Sequence, residues 1–400
     1  MHERAEQIGH RIRVLRKWRQ MKLAEVAGLS GVSVSWLSMV ERGQRAVKDR
    51  QRLEGIARAL RVQPEDLDPR EHYPVAPTSA AANPALLSVE AVLTEWWPGE
   101  VPDDYPAREW VNVRRDLTLL NQKLRPGSDY DAQADVLPAL IHDLLIHAST
   151  DDHRKDAYVG LISAYHAAGN VASRWGAKQL GYVAAERVQA AAEALQAPDW
   201  LGVSAWTRAQ FVSSMSRKRQ YSLAVAAAEM TDARLESRGM GHLTAALAAA
   251  SQGDAATAKT HLREAKHIAD KVGLANSQWG GATMNFGHAN VGIWHVGIGV
   301  ELGWGAQVAE VAKDVPWQAI PTSRQGAYWM DLGRGLLQEK RSREEGLRAI
   351  LKAEKLTPQQ VRTNTLVREA ALDMFMTAQR NAGNRELRSL LTRLGANPIV

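Results

Sequence analysis

The sequence contains no cysteine, which excludes disulfides and cysteine-ligated zinc or iron-sulfur centres and is compatible with a reducing cytoplasm. It has no run of eighteen apolar residues, the length a membrane span would need. The first residues, MHERAEQIGHRIR, are amphipathic and charged and lack the apolar centre of a signal peptide, so the expected location is the cytoplasm. Catalytic signatures are missing as well: there is no P-loop, nucleophile elbow or paired-carboxylate motif. Gly297-Ile298-Gly299 followed by Gly303 has the wrong spacing for a dinucleotide fingerprint, and no strand pattern precedes it. His142 and His147 are five residues apart, which does not bring both to one helical face as zinc-ligand pairs require. These absences predict a protein that is not an enzyme and needs no cofactor or metal.

Positive charge is present but unevenly distributed. The formal net charge is +6. Residues 1–68 hold 14 Lys/Arg against 9 Asp/Glu, whereas the remainder holds 36 against 35, so nearly all the excess sits on the first sixth of the chain. At 400 residues the chain exceeds what one core usually holds, and more than one unit is expected.

The most informative stretch is Leu23 to Gly43, LAEVAGLSGVSVSWLSMVERG. It reads as two short helices joined by a tight turn. Ala27 falls where the helix backbones cross and only a small side chain fits, and Gly31 falls at the turn, where a positive φ is expected. Val26, Val32, Leu37 and Val40 fill the apolar positions, Ser33 supplies an N-cap hydroxyl, and Gly43 stops the second helix after Glu41-Arg42. Upstream, a helix from about Glu6 to Arg19 buries Ile8, Ile12 and Leu15 and leaves Arg11, Arg13, Arg16 and Lys17 around the rest. Downstream, Leu53, Ile56, Ala57 and Leu60 repeat the stripe, and Val62 and Leu67 close a small core around Pro64.

The runs IGHRIRVLRKWRQ, LAEVAGLSGVSVSWLSMVERG and LEGIARALRVQPEDL together resemble the XRE (Cro/repressor-like) helix-turn-helix family across all five of its helices. The resemblance implies that the second helix of the motif lies in the DNA major groove. One departure matters: many relatives carry Gln where Leu23 stands, and Leu23 cannot make that side chain's phosphate contact. The groove-facing set is Ser33, Val34, Ser35, Ser38 and Met39, whose hydroxyl and aliphatic groups can meet base edges and thymine methyls. Trp36 either packs against the sugar-phosphate backbone or a base, or caps the small core. Arg42, Arg45, Lys48 and Arg50 follow as a basic loop suited to phosphate contact, with a solvated charge run as the alternative.

From Asp68 to Leu86 the sequence DPREHYPVAPTSAAANPAL carries four prolines among small residues, a linker composition. The expected organisation is therefore a DNA-binding domain over 1–68, a linker over 69–86 and a helical domain over 87–400. In that last part the patterns are helical only, with breaks at Pro98 to Pro106 and at Pro126-Gly127-Ser128. A turn followed by alanines every three or four positions recurs, most clearly at Gly253-Asp254 with Ala258, Leu262, Ala265 and Ala269. Further turns are expected near Gly169-Asn170, Arg219-Gln220-Tyr221, Gly303, Arg343 and Gly383-Asn384. The fold class predicted is all-α, with stacked helix pairs, or alternatively a single helical bundle.

These segments resemble degenerate tetratricopeptide (TPR) repeats. The combination of an XRE-like head, a Pro-rich linker and a TPR-like body resembles the Rgg/PlcR-like peptide-sensing regulators of Gram-positive bacteria. It also resembles the XRE-TPR regulators of actinomycetes, whose bodies carry segments similar to Phe286-Gly287-His288-Ala289-Asn290-Val291 and Glu301-Leu302-Gly303. The resemblance implies a homodimer that binds an operator in double-stranded DNA and receives a short signalling peptide or small molecule, as in quorum sensing. Asn285, His288, Gly292 and His295, spaced as one helical face, are candidate ligand contacts together with Asn290. Arg324, Tyr328, Asp331 and Arg334 form a second stripe. Interior polar groups for the first set and solvated surface for the second remain open, and so do a protein-interaction scaffold and a ligand-independent repressor as readings of the whole chain.

Overall fold

The computed structural model describes residues 2–18, 21–47, 50–60, 67, 84–103, 106–212, 216–279, 284–378 and 385–396. They fall into two compact units, Met1–Pro74 and Val75–Val400. Helices dominate both, and the described residues are all-α apart from one short hairpin and an isolated bridge between Pro98 and Glu100. No single helix among the described residues is long and apolar enough to cross a membrane.

In the first unit, α1 is His2–Trp18, α2 Leu23–Ser30, α3 Val34–Glu41 and α4 Arg50–Ala59. Helix α1 thus starts four residues before the Glu6 expected from its apolar stripe. Gly31 takes the left-handed conformation at φ 71° and ends α2, and Ser33 opens α3 by accepting a hydrogen bond from the Trp36 amide at 3.3 Å. The two helices meet at 111°, inside the range of a helix-turn-helix pair. Ile8, Ile12, Val26, Ala27, Leu37, Val40, Ile56, Ala57, Leu60 and Leu67 form the core, while Leu15 and Val32 are half-buried. Val62 and Pro64 lie outside the described residues.

Two contacts fix α3 against α1. At Gly9 a Cβ would collide with the Val40 carbonyl oxygen, so the helices touch backbone to backbone. Arg16, expected on the exposed side of α1, instead forks onto the Glu41 carboxylate at 2.6 and 2.8 Å and is half-buried.

The second unit begins at α5, Pro84–Thr94, so the last three residues of the expected linker are helical. Pro84 suits a first helical position, and Leu86 is buried in the core. Helix α6, Trp110–Leu119, continues through a π-helical turn, Leu120–Leu124, into Arg125–Gly127. The break expected at Pro126 therefore falls at Ser128, with φ 54°. Then come α7 Tyr130–Ala148, α8 Arg154–Arg174, α9 Lys178–Leu195, α10 Pro198–Phe211, α11 Arg217–Ala228, α12 Leu235–Ala250 and α13 Ala255–Val272. Strands β1 Ser277–Trp279 and β2 Met284–Phe286 pair antiparallel, with Gln278 opposite Asn285, which corrects the expectation of helices alone. The remaining helices are α14 His288–Glu301, α15 Val308–Ala312, α16 Thr322–Leu337, α17 Arg343–Leu356, α18 Pro358–Arg362, α19 Thr365–Ala378 and α20 Arg385–Arg393.

Successive helices pack as pairs, notably α8 with α9, α12 with α13 and α16 with α17. Asp254 caps α13 by accepting from the Thr257 amide at 3.0 Å, and Ala258, Leu262, Ala265 and Ala269 form its buried stripe. Gly169-Asn170 is not a turn. It lies inside α8, where a Cβ at Gly169 would come within 2.7 Å of the Ala184 methyl on α9. Arg219-Gln220-Tyr221 likewise falls within α11, Gly303 is a turn at φ 77°, Arg343 opens α17, and Gly383-Asn384 lies outside the described residues. Distant helices also meet: the Tyr130 amide donates to Gln359 Oε1 at 2.6 Å, and Ser128 Oγ donates to Gln360 Oε1 at 3.1 Å.

The Gly9 contact makes a prediction with an internal control. G9A should cost about 1–3 kcal/mol or more, because neither backbone can yield cheaply. G28A, on an open face of α2, should stabilise by about 0.5–1 kcal/mol. Urea denaturation of the two variants, monitored by hydrogen exchange at the amides of α2 and α3, checks the opposite signs.

A second prediction concerns pH. Tyr221 on α11 bonds His261 Nε2 on α13 at 3.0 Å, and His261 Nδ1 lies 3.0 Å from His242 Nδ1 on α12. Burial first, then the charge of His261, pushes His242 down from 6.5 to about 4, and burial lowers His261 as well. Between these limits the unfolded chain binds more protons than the folded one, so stability is complete above about pH 6.5 and falls towards pH 4. The expected loss is about 1–3 kcal/mol. Denaturation midpoints measured across that range should change less in H242N than in the wild type, and equal changes would remove this pair as the cause.

Candidate nucleic-acid interface

Helix α3 presents one face to the core and another to solvent. Leu37 and Val40 are fully buried, whereas Ser33, Val34 and Ser35 are exposed and Ser38 and Met39 half-buried. Ser33 Oγ and Ser35 Oγ lie 3.5 Å apart, so the N-terminal turn carries two hydroxyls beside the Val34 methyls. This is the hydroxyl-and-methyl surface that can reach base edges in a groove. Arg42 is exposed and folds back to donate through Nε to the Ser38 carbonyl at 3.2 Å, and Arg45 is exposed beyond it. Lys48 lies outside the described residues; Arg50 is the first residue of α4.

Trp36 is buried, at 8% exposure, so most of its ring packs in the core. Its ring also forms part of a hollow of about 300 Å³ lined by Gly31, Val32, Ser33, Arg45 and Arg52. The Arg52 guanidinium stands 5.3 Å over the Trp36 ring. The hollow therefore combines two cations with the N-terminal end of α3, a setting that favours a phosphate oxygen. Arg52 was not visible as a candidate from the basic loop alone, since it lies one helix further on and is brought back by the packing of α4 on α2.

The second unit treats the ligand candidates differently from the sequence pattern. Asn285 is on β2, not on a helix, because Gly287 at φ 149° breaks the chain before α14 begins at His288. No side chain fits at Gly287: a Cβ there would lie 2.6 Å from the Leu274 carbonyl oxygen. The expected polar face of Asn285, His288, Gly292 and His295 is thus interrupted. His288 is exposed with Nε2 3.7 Å from Asp270, whereas His295 is half-buried edge-on to Trp304 and its pKa is lowered, first by burial and then by Lys266. Tyr328 is neither solvated surface nor free to line a site. It is buried, and its hydroxyl donates to the Ala312 carbonyl at 3.0 Å.

Four of the candidates do converge. Asn290 is 1% exposed and accepts from Arg324 Nε at 3.0 Å. Arg334 bridges Asp331 at 3.0 Å and Glu301 at 3.1 Å. Burial raises the Asp331 pKa while Arg334 opposes the rise. Trp294, under the Arg324 guanidinium at 5.8 Å, belongs to the same group and was missed, although it lies between the two singled-out histidines.

A separate polar row was also missed because its members come from four helical segments. Arg125 donates to Asn121 at 3.1 Å and to Ser163 at 2.8 Å, and it lies 2.8 Å from His166 Nδ1. Gln210 meets His166 Nε2 at 2.9 Å and Asn170 at 3.3 Å. Burial, then the charge of Arg125, lowers His166 to about 3, so the ring is neutral at ordinary pH. No group of three or more His, Asp or Glu among the described residues is placed to hold a metal ion.

A family profile described as a helix-turn-helix domain matches residues 7–69. No curated protein matches the chain. Among solved structures, the apo form of the competence regulator ComR from Streptococcus vestibularis aligns with 95% of this chain and 99% of its own at 11% identity, with a TM-score of 0.16. A likeness at that score carries no argument here. The match over 7–69, together with the geometry of α2 and α3, makes the first unit a helix-turn-helix DNA-binding domain.

Proposed function

We propose that this chain is a ligand-responsive transcription regulator of XRE type. Helix α3 reads operator DNA, and the TPR-like body dimerises and senses a short signalling peptide. The observation that carries the DNA half is the two-sided burial of α3: Leu37 and Val40 anchor it, and Val34 and Ser35 stand clear at its N-terminal end. The basic residues have a different task. Arg42, Arg45 and Arg52, with Lys48 and Arg50, supply phosphate contacts that add affinity without sequence information.

The peptide half is supported by the side-chain chemistry of the body. Arg324 and Trp294 place guanidinium and indole groups on neighbouring helices, a pair able to bind a ligand's polar groups by hydrogen bonds, and Asn290 holds the guanidinium in place. A single small domain of this kind makes few base contacts. A dimer doubles them, with half-sites about 34–36 Å apart or a multiple of that.

Selection of bound sequences from a random DNA library, followed by anisotropy titrations over a salt series, tests this reading. R45Q should weaken binding to all sequences similarly and reduce the slope of log K against log salt by about 1. S35A should alter the preferred sequence while leaving the slope intact. Unchanged sequence preference in S35A and V34A together would remove α3 as the reading helix.

A further inference from the structure

The Arg324 group is unusual in its balance of donors and acceptors. Asn290 is held in place because its Nδ2 donates to the Asn285 carbonyl at 2.6 Å, which leaves Oδ1 to accept from Arg324 Nε at 3.0 Å. That is the only hydrogen bond Arg324 makes among the described residues, so both terminal nitrogens of the guanidinium remain uncommitted. Beneath it lies Trp294, whose indole Nε1 is buried and has no hydrogen-bond partner. Both acids nearby, Asp331 and Glu301, are bonded to Arg334.

Charge repeats the pattern. Burial lowers the Arg324 pKa to about 10, Asp331 opposes that, and the positive charge of Arg174 at the end of α8 adds to it. Arg324 therefore remains a cation at neutral pH. Both carboxylates of the group are thus taken by Arg334, and none is bonded to Arg324. The Trp294 indole is a buried donor without an acceptor, which is costly, and beside it the part-buried Arg324 guanidinium has two nitrogens open to a further acceptor. Two oxygens of one anion answer both demands, because a guanidinium edge binds a planar or tetrahedral oxyanion through paired N–H groups.

We infer that Arg324 and Trp294 form an anion-recognising subsite that takes a carboxylate or phosphate group of the ligand sensed by the body. This rests on the reading of the body as a sensor and goes beyond it by naming the chemistry that is recognised. Asn290 is a positioning residue: it turns the guanidinium so that its outer edge faces the anion. The polar row around Arg125 does not share this property, since Asn121, Ser163, His166, Asn170 and Gln210 supply acceptors within it.

The test is the thermal stability of the full chain in sodium phosphate or sodium acetate against sodium chloride at equal ionic strength. The same measurement is made with a random pentapeptide pool bearing free C-terminal carboxylates and with the same pool amidated. Phosphate or the free-acid pool should raise the wild-type Tm, and R324Q should abolish the rise. W294F keeps an aromatic face under the guanidinium but loses the pyrrole ring with its N–H, and it should weaken binding about fivefold to tenfold. R324K should retain part of the effect. A rise with free-acid but not amidated peptides identifies a peptide carboxylate, and a rise with phosphate alone identifies a phosphorylated ligand. The inference is overturned if no anion shifts the wild type, or if R324Q and W294F shift as the wild type does. Equal stabilisation by both peptide pools that survives R324Q would overturn it while leaving peptide sensing intact. A phosphate effect that needs Arg324, with no response to either pool, would leave the subsite standing and remove the peptide.

Discussion

Close approach of helices is the constraint on which both units depend. In the first unit α1 meets α3 at Gly9 and the Val40 carbonyl; in the second, Gly333 and Gly346 face each other between α16 and α17, where a Cβ on either would lie 2.9–3.0 Å from the other's carbonyl oxygen. At such distances a side chain has no room, and the contact is made by backbone atoms and their dispersion attraction. The orientation of α3 follows. With its inner face pressed on α1 and its C-terminal end held by the Arg16–Glu41 fork, its exposed turn is set by core packing and not by the surface residues themselves. On the proposed reading, recognition of DNA by Val34 and Ser35 thus rests on the packing of α1 against α3 and on the Arg16–Glu41 fork.

The same constraint explains what could be read from the sequence. Turn and cap signals are local. Gly31 and Ser33 at the helix-turn-helix, and Gly253-Asp254 before α13, act within three or four residues of their partners, and their spacing carries them. A small residue inside a helix gives the same local signal as one in a turn. Gly169-Asn170 was expected to be a turn for this reason, yet it lies within α8, where α9 approaches and Asn170 bonds the His166 carbonyl at 3.0 Å. Periodicity fails in a related way at Asn285, since a spacing of three, four and three describes a helical face only if the helix is unbroken. The positive φ of Gly287 ends that condition.

Polar side chains were the least legible part because their meaning depends on distant partners. Arg16 looked like a solvated cation, but its acid is 25 residues away on α3. Tyr328 looked like part of a stripe, but its hydroxyl is committed to a carbonyl 16 residues earlier. Arg174 and Arg324 influence each other across 150 positions of sequence, and no local pattern reports it. What the sequence did convey was the inventory: a helix carrying Asn290 and Trp294 among glycines and valines, and another carrying Arg324, Asp331 and Arg334. Which members of that inventory are paired and which are left with donors to spare is a property of the packing alone.

That distinction bears on how a ligand can act. A buried group whose bonds are complete gains nothing from a ligand, whereas Arg324 and the Trp294 indole gain directly. The early and late helices of the body are joined by a few polar bonds, among them Ser128 to Gln360 and Tyr130 to Gln359, each worth about 1 kcal/mol net. An equilibrium held by contacts of that size can be moved tenfold or more by a ligand whose affinity for two arrangements differs by a charge-assisted hydrogen bond or two, about 1.5–3 kcal/mol each. An anion bound equally well in both arrangements would move nothing, however tightly it bound. On the proposed reading, then, regulation is decided by whether helix movement changes the separation of Arg324 and Trp294, because that separation sets whether one anion can meet both donors.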